Sequence, residues 1–506
     1  MSANKARLSP NGTMAGTLCI VALLWASLAL AAEHEITDQA VTDAVEDQIL
    51  MDHAVPLTGI HVNTVNGIVN LSGTVTNALA QERAARIAET VKGVRAVVNR
   101  LEVDPVVEIS DDTIRRNVEN ALLYNPATSS YEIDVTVTDG TVTLAGTVDS
   151  WQEQELAKKE ARGVQGVTNV IDAINVDYET ERPDFEIQAE IQQALRWDIL
   201  IDDALIDVQV DDGAVTLEGT VGSAAEKTRA MRTAWIAGVS SMDAEGLEVA
   251  RWARDEDLRE DKFVVKPDEE VEAAIEEALL YDPRVLSTNV TPEVSLGTAT
   301  LRGEVASVLA RRAAADTASN TVGVTRVRNR LRVSPLHTPP DQEIEENVRA
   351  ALARDPYVDR FDVTVNVING TAYLYGTVDS YFEKAQADDV AARAMGVVAV
   401  DNNLTVRRAH RPYAEDPYLD GWYTFDYDWH DYEPRRTKRP DSEIEEDIES
   451  QLWWSPFVSA DDVNVTVEDG TAILTGTVGS WSEYRAARKN AFDGGAVWVV
   501  NNLQVE

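Results

Sequence analysis

The sequence predicts an α+β protein of six tandem small domains, each in the order helix, strand, strand, helix, strand. Three observations predict this. First, a pair of glycines six residues apart recurs six times, as Gly67/Gly73, Gly140/Gly146, Gly213/Gly219, Gly297/Gly303, Gly370/Gly376 and Gly470/Gly476. Second, each pair is followed by another glycine: Gly93, Gly166, Gly238, Gly323, Gly396 and Gly495. Third, the first glycines step 67→140→213→297→370→470 along the chain, a period longer than that of a solenoid repeat. Such a period describes beads, each with its own core. Units this small bury little apolar surface, so neighbours or partners add to their stability.

The fifth copy justifies each element. Ile344, Val348, Ala351 and Leu352 fall on one face at helical spacing, and Asp355-Pro356 stops the run. Phe361 to Val367 then alternates apolar and polar residues, as a half-buried strand does. Asn369-Gly370 supplies a tight hairpin turn, and a returning strand leads through Leu374 to Gly376. Ser380 and Glu383 form a capping box that opens the second helix, over Ala385, Val390, Ala391 and Ala394. Gly396 suits the left-handed end of that helix, and Val397, Val400, Leu404 and Val406 make the last strand.

The other copies repeat these choices. Their turns are Asn66-Gly67, Asp139-Gly140, Asp212-Gly213 and Asp469-Gly470, with a weaker Leu296-Gly297 in the fourth. Capping boxes recur at Ser150/Glu153, Ser223/Glu226 and Ser480/Glu483, while Asn77 and Ser307 stand at the other two caps. In the third copy, Ser240 to Gly246 interrupts the approach to Leu247 and Val249, which predicts an irregular last strand.

The pattern resembles the BON domain family of bacterial envelope proteins. Copy two carries it as Val135-Thr-Val-Thr-Asp-Gly-Thr-Val-Thr-Leu-Ala-Gly-Thr-Val148, then Gly166-Val167 and Asn175-Val176. The resemblance implies two helices on one face of a mixed three-stranded sheet. It also implies an envelope location with phospholipid binding or support of the outer membrane.

The expected division is a leader at 1–32, copies at 37–105, 107–178, 183–251, 267–335 and 340–408, a linker at 409–439, and copy six at 440–506. Lys5 and Arg7 precede an apolar run from Met14 to Leu30 and an Ala31-Ala32 exit, the pattern of a cleaved secretory signal. An uncleaved anchor is the alternative, because the run approaches membrane-spanning length. Cys19, the single cysteine, lies inside the run, so the exported chain has no disulfide or thiolate chemistry. The chain therefore belongs in the periplasm, with association to the outer membrane as a refinement.

Charge narrows the partners. Against 45 Lys and Arg stand 87 Asp and Glu, a net charge of −42. That balance repels phosphate backbones, no basic stripe stands out, and nucleic acid is excluded as a partner. Anionic membranes are repelled at long range too, although physiological salt screens this beyond about 8 Å. Acidity of this degree fits a salt-adapted source as well as an ordinary acidic exported protein.

No chemistry is legible. The glycine pairs match no phosphate-binding loop, and Gly67, Gly140, Gly213, Gly297, Gly370 and Gly470 are structural turn residues. The six histidines have no metal-ligand spacing, and no serine or threonine stands in a nucleophile motif. No catalytic, metal or cofactor residue is assigned, nor any small-molecule substrate; the chain is read as no enzyme.

Two features point to contacts. Helix one ends and helix two begins at the same pole of each domain, where Trp151, Tyr381, Trp454 and Trp481 gather. Such side chains suit a membrane or protein interface, or they pack on one another and close the core. In the linker, Trp422 and Trp429 alternate with acids and other aromatics, the composition of a docking strip. The reading is a non-catalytic envelope protein that binds phospholipid or an outer-membrane partner, with osmotic stress as one setting. The alternative is a periplasmic scaffold or chaperone-like binder of envelope proteins. Oligomeric state is not legible.

Overall fold

The computed structural model describes residues 36–505, apart from 53, 56–58, 126–132, 179–181, 255–261, 263–265, 281, 283–284, 286–288, 336, 359–360 and 408–438. The leader with Cys19, and Trp422 and Trp429 of the linker, lie outside the described residues.

Domain one runs α1 (Asp38–Met51), β1 (Ile60–Val65), β2 (Ile68–Val75), α2 (Ala78–Glu89) and β3 (Ala96–Val103). Domain two follows with α3 (Asp111–Tyr124), β4 (Ile133–Thr138), β5 (Thr141–Val148), α4 (Trp151–Arg162) and β6 (Asn169–Val176). Domain three has α5 (Asp184–Trp197), β7 (Ile206–Asp211), β8 (Ala214–Val221), α6 (Ala224–Ala234), β9 (Ser241–Asp243) and β10 (Leu247–Val249). In domain four come α7 (Asp268–Leu280), β11 (Val290–Ser295), β12 (Thr298–Val305), α8 (Val308–Ser319) and β13 (Arg326–Val333). Domain five is α9 (Asp341–Arg354), β14 (Thr364–Ile368), β15 (Thr371–Val378), α10 (Tyr381–Arg393) and β16 (Ala399–Val406). Domain six closes with α11 (Asp441–Trp454), β17 (Val463–Glu468), β18 (Thr471–Val478), α12 (Trp481–Asp493) and β19 (Trp498–Val505).

The predicted order holds in all six. The second strand is central in each sheet, antiparallel to the first and parallel to the last. A parallel return needs a crossover, which the second helix supplies. In domain two, Ile114, Val118 and Leu122 of α3 and Ala157 and Ala161 of α4 share one core with Val142 and Leu144 of β5. Both helices therefore cover the same face, and the other face of the sheet is left to solvent. The irregular third copy also appears as expected: its last strand is split into β9 and β10 by the turn at Gly246.

Each hairpin turn has two residues with positive φ, as at Asn369 (51°) and Gly370 (74°), the geometry of a type I′ turn. A further bond fixes its position. The first residue of helix one accepts from both turn amides: Asp341 Oδ2 from Asn369 N at 2.8 Å and Oδ1 from Gly370 N at 2.9 Å. Asp38, Asp111, Asp184, Asp268 and Asp441 do the same. One carboxylate thus ties the helix start to the far end of the hairpin.

Domain four places Leu296 at φ 49° and leaves it 90 % exposed. A left-handed leucine costs about 1–2 kcal/mol, and its side chain recovers none of this by burial. Leu296→Asn is therefore expected to stabilise domain four by about 1 kcal/mol. Chemical denaturation of the full chain, with domain four followed by hydrogen exchange, checks this; an unchanged midpoint removes the strain argument.

The second helices start as predicted. Asn77, Ser150, Ser223, Ser307, Ser380 and Ser480 each accept from the amide three residues on. At Ser380 the reciprocal Glu383 bond is also present. Glu153, Glu226 and Glu483 reach one residue further back, to the amides of Asp149, Gly222 and Gly479.

The beads are not independent. The core of domain one takes in Ala224 of domain three, Phe382 of domain five and Trp454 of domain six. A repeated backbone bond joins domains in pairs. Lys92 N donates to Trp454 O at 3.0 Å, Gln165 N to Arg354 O at 2.8 Å, and Val322 N to Trp197 O at 2.9 Å. In each case the amide just before the third glycine of one domain meets the end of helix one in another. Domains three and four add the return bond, Ile199 N to Asn320 O at 2.9 Å. Pro356 and Pro456 occupy the place of Ile199 in domains five and six, and proline has no amide to give.

Candidate partner surfaces, an aromatic seam and an arginine face

The aromatic poles lie against neighbouring domains. Trp151, at the start of α4, stacks on Trp235 of domain three with centroids 5.2 Å apart and planes 2° from parallel. The Gln152 side-chain amide donates to Trp235 O at 2.6 Å across the same border. Trp454 packs against the core of domain one, meets Trp453 edge-on at 4.7 Å, and lies beside the Lys92 ammonium that covers the Trp453 ring at 4.9 Å. Trp481 stacks on Tyr484 of its own helix at 4.6 Å. Trp151, Trp454 and Trp481 are half-buried. Tyr381 opens α10, and its side chain is outside the described set. Trp235 went unrecognised in the sequence because its partner is a residue of another domain.

The expectation that no basic stripe exists is corrected by domain four. Arg326, Arg328, Arg330 and Arg332 alternate along β13 and are all exposed, while Val327, Leu331 and Val333 turn to the core. Alternate residues of a strand point the same way, about 6.6 Å apart. The neighbouring β12 adds Arg302, paired in register with Arg330. Glu304 binds Arg332 at 3.0 Å, and Glu293 pairs with Arg302. Among the described residues, the side chains of Arg326, Arg328 and Arg330 have no acidic partner. Elsewhere the same row is almost neutral. It reads Ala96, Val98, Arg100 and Glu102 in domain one, and Ala399, Asp401, Asn403 and Thr405 in domain five. Averaging charge over 506 residues hid a local sequence, Arg-Val-Arg-Asn-Arg-Leu-Arg-Val, whose period of two gathers the cations on one face.

The fold defines an array of small α+β domains, with no catalytic constellation among the described residues. The BON domain pattern matches residues 37–105, 110–178, 183–249, 267–335, 340–408 and 440–506, and the chain belongs to the BON domain family. It is 32 % identical over 139 residues to osmotically-inducible protein Y of Escherichia coli (strain K12), covering 26 % of this chain and 69 % of that one. It is 29 % identical over 143 residues to the outer membrane lipoprotein DolP of Haemophilus influenzae, covering 27 % of this chain and 73 % of that one. A 21 kDa hemolysin of Actinobacillus pleuropneumoniae is 30 % identical over 120 residues, covering 23 % and 61 %. Among the described residues, no helix is long and apolar enough to cross a membrane.

Proposed function

We propose that the chain is an exported, non-catalytic protein of the bacterial envelope that sets the arginine face of domain four against phospholipid. The observation that carries this reading is the exposed row Arg326, Arg328, Arg330 and Arg332 within a chain of net charge −42. In physiological salt, charges more than about 8 Å from a contact are screened, so the local sign decides the encounter and the net charge does not. Between the arginine row and the β11 edge lie threonines, a serine, Arg302 and two glutamates, Glu293 and Glu304, each glutamate paired with an arginine, so the face stays net positive. It suits a flat, phosphate-bearing surface. The outer-membrane name of one relative and the osmotic name of another support the same setting.

Each basic residue near an anionic bilayer contributes about 1 kcal/mol. Replacing Arg326, Arg328, Arg330 and Arg332 together by serine is therefore expected to weaken binding to phosphatidylglycerol-containing vesicles at least tenfold. Circular dichroism should be unchanged, because all four side chains are exposed. Co-sedimentation of the full chain, with anionic lipid content and salt varied, measures this. Equal binding by both proteins rejects the face. Binding to no vesicle type, with suppression of client aggregation, favours the scaffold reading that the acidity of the chain also suits.

A further inference from the structure

A cavity of about 230 Å³ lies where domains two, three and four meet. Helix α5 turns one face into it, with Glu190, Gln193, Ala194 and Trp197 at successive turns. Glu277 of α7 faces them from domain four, and Trp151 of domain two, stacked on Trp235 of domain three, completes the wall. The volume suits a small molecule and is too small for a folded peptide segment.

The lining has a clear chemical bias. Five acids stand against two arginines, Arg229 and Arg232, and Arg229 is held by Asp198 at 2.7 Å. Three indoles supply apolar area and electron-rich faces, which attract cations most strongly when water is excluded. One acid has an unmet valence. Glu190 is only 8 % exposed; its Oε2 is paired with Arg182, while Oε1 is buried with no hydrogen-bond partner. A buried acceptor left unpaired costs about 1–3 kcal/mol, so Glu190, a residue of the cavity lining, favours a positive charge nearby. Burial pushes the Glu190 carboxyl above the usual carboxylate range, and the charge of Glu277 adds to this. A cation placed on this side of the cavity favours the charged form of Glu190, while the Glu277 carboxylate already accepts from the Gln193 side chain.

We propose that this cavity binds a small organic cation, an alkylammonium whose positive head lies on the side of Glu190 and Glu277 and whose methyl or methylene groups lie against the indoles of Trp151, Trp197 and Trp235. Anions are opposed by the acid surplus. Neutral molecules of the same shape gain the apolar contact and bring no charge to the acidic side of the cavity. The site is independent of the arginine face: it lies on the helical side of the domains, and its occupant has the opposite charge.

Isothermal titration of the full chain with choline tests this, with the neutral isostere 3,3-dimethylbutan-1-ol as comparison and sodium chloride holding ionic strength constant. One saturable site per chain is expected for choline, with quenched tryptophan fluorescence, and affinity for the isostere at least tenfold lower. Glu190→Gln keeps the shape and an acceptor for Arg182, and is expected to weaken choline binding at least tenfold with the melting temperature held or raised. Ala194→Phe fills the space and is expected to abolish binding while Glu190 stays in place. Should that variant fail to fold, Glu190→Gln and the isostere decide the matter between them. Equal affinity for choline and the isostere overturns the proposal. So does unchanged choline binding in Glu190→Gln, or no saturable binding up to about 10 mM, a concentration that detects affinities weaker than 1 mM.

Discussion

Gly303→Ala is expected to unfold domain four, with a loss of about 3–5 kcal/mol. The position lies on the central strand β12, opposite Val290, where the chain comes in toward β11. A Cβ there would stand 1.8 Å from the carbonyl oxygen of Asn289, and the backbone has φ 122°. Neither fault has a cheap remedy. The obstructing atom is backbone, and it accepts from Glu304 N at 3.3 Å, so moving it opens the hairpin. The same crossing recurs at Gly73, Gly219 and Gly476, with carbonyls at 1.9, 2.0 and 1.9 Å. The turn glycine makes an instructive contrast. At Gly297 the nearest atom to an added Cβ is the Thr325 hydroxyl oxygen at 2.9 Å, the end of a side chain that can rotate. Gly297→Ala should cost about 1–2 kcal/mol, mostly through its left-handed backbone. Hydrogen exchange of the full chain separates the two. Amides of β11, β12 and β13 should lose protection in Gly303→Ala and largely keep it in Gly297→Ala. Equal effects would mean that the carbonyl crossing is not what demands glycine at the second position.

The repeat made most of the fold legible because its signals are local. Turn dipeptides, serine caps and alternating strands each act within a few residues, and six concordant copies average out any one exception. The carboxylate clasp was also present in the sequence: each aspartate stands 29 residues before its turn glycine, as Asp38 before Gly67 and Asp441 before Gly470. It was missed because an acid at a helix start already has a sufficient local explanation in the helix dipole. Contacts between domains had no such signal. Ten-residue links reach about 33 Å and allow many arrangements, so nothing in the chain announced that Trp151 would meet Trp235 or Lys92 would meet Trp454. The cavity at Glu190 is a product of those same contacts. The arginine face is a different case, since its pattern was on the page and was obscured by the whole-chain charge.

Domain five should lose stability as pH rises from about 4 to 6, and Asp355→Asn should abolish that slope. Asp355 follows the last residue of α9 and is 4 % exposed. Its Oδ1 accepts from the amides of Tyr357 at 2.9 Å and Val358 at 3.2 Å, and its Oδ2 from the Gln386 side chain at 2.7 Å. The equivalent Asp52 and Asp198 meet arginines at the matching place, Arg83 and Arg229. Domain five has a neutral glutamine there. Burial without that cation pushes the Asp355 carboxyl up to about 6. The unfolded chain has it near 3.9, so between these values the folded state binds more protons and stability falls as pH rises. Two units correspond to about 3 kcal/mol, present in full below pH 4 and lost above pH 6. Asparagine keeps an acceptor for both amides and carries no charge, so Asp355→Asn should gain about 2 kcal/mol at pH 7.5 and almost nothing at pH 4. Gln386→Arg should also remove the slope, by restoring the cation that Arg83 and Arg229 provide elsewhere. The consequence extends beyond one domain, because the turn held by Asp355 carries Tyr357, whose ring meets Phe382 edge-on at 4.9 Å against the core of domain one. Protection of the amides in α2 should therefore follow the pH dependence of domain five. A slope that persists in Asp355→Asn would assign the pH response to another group.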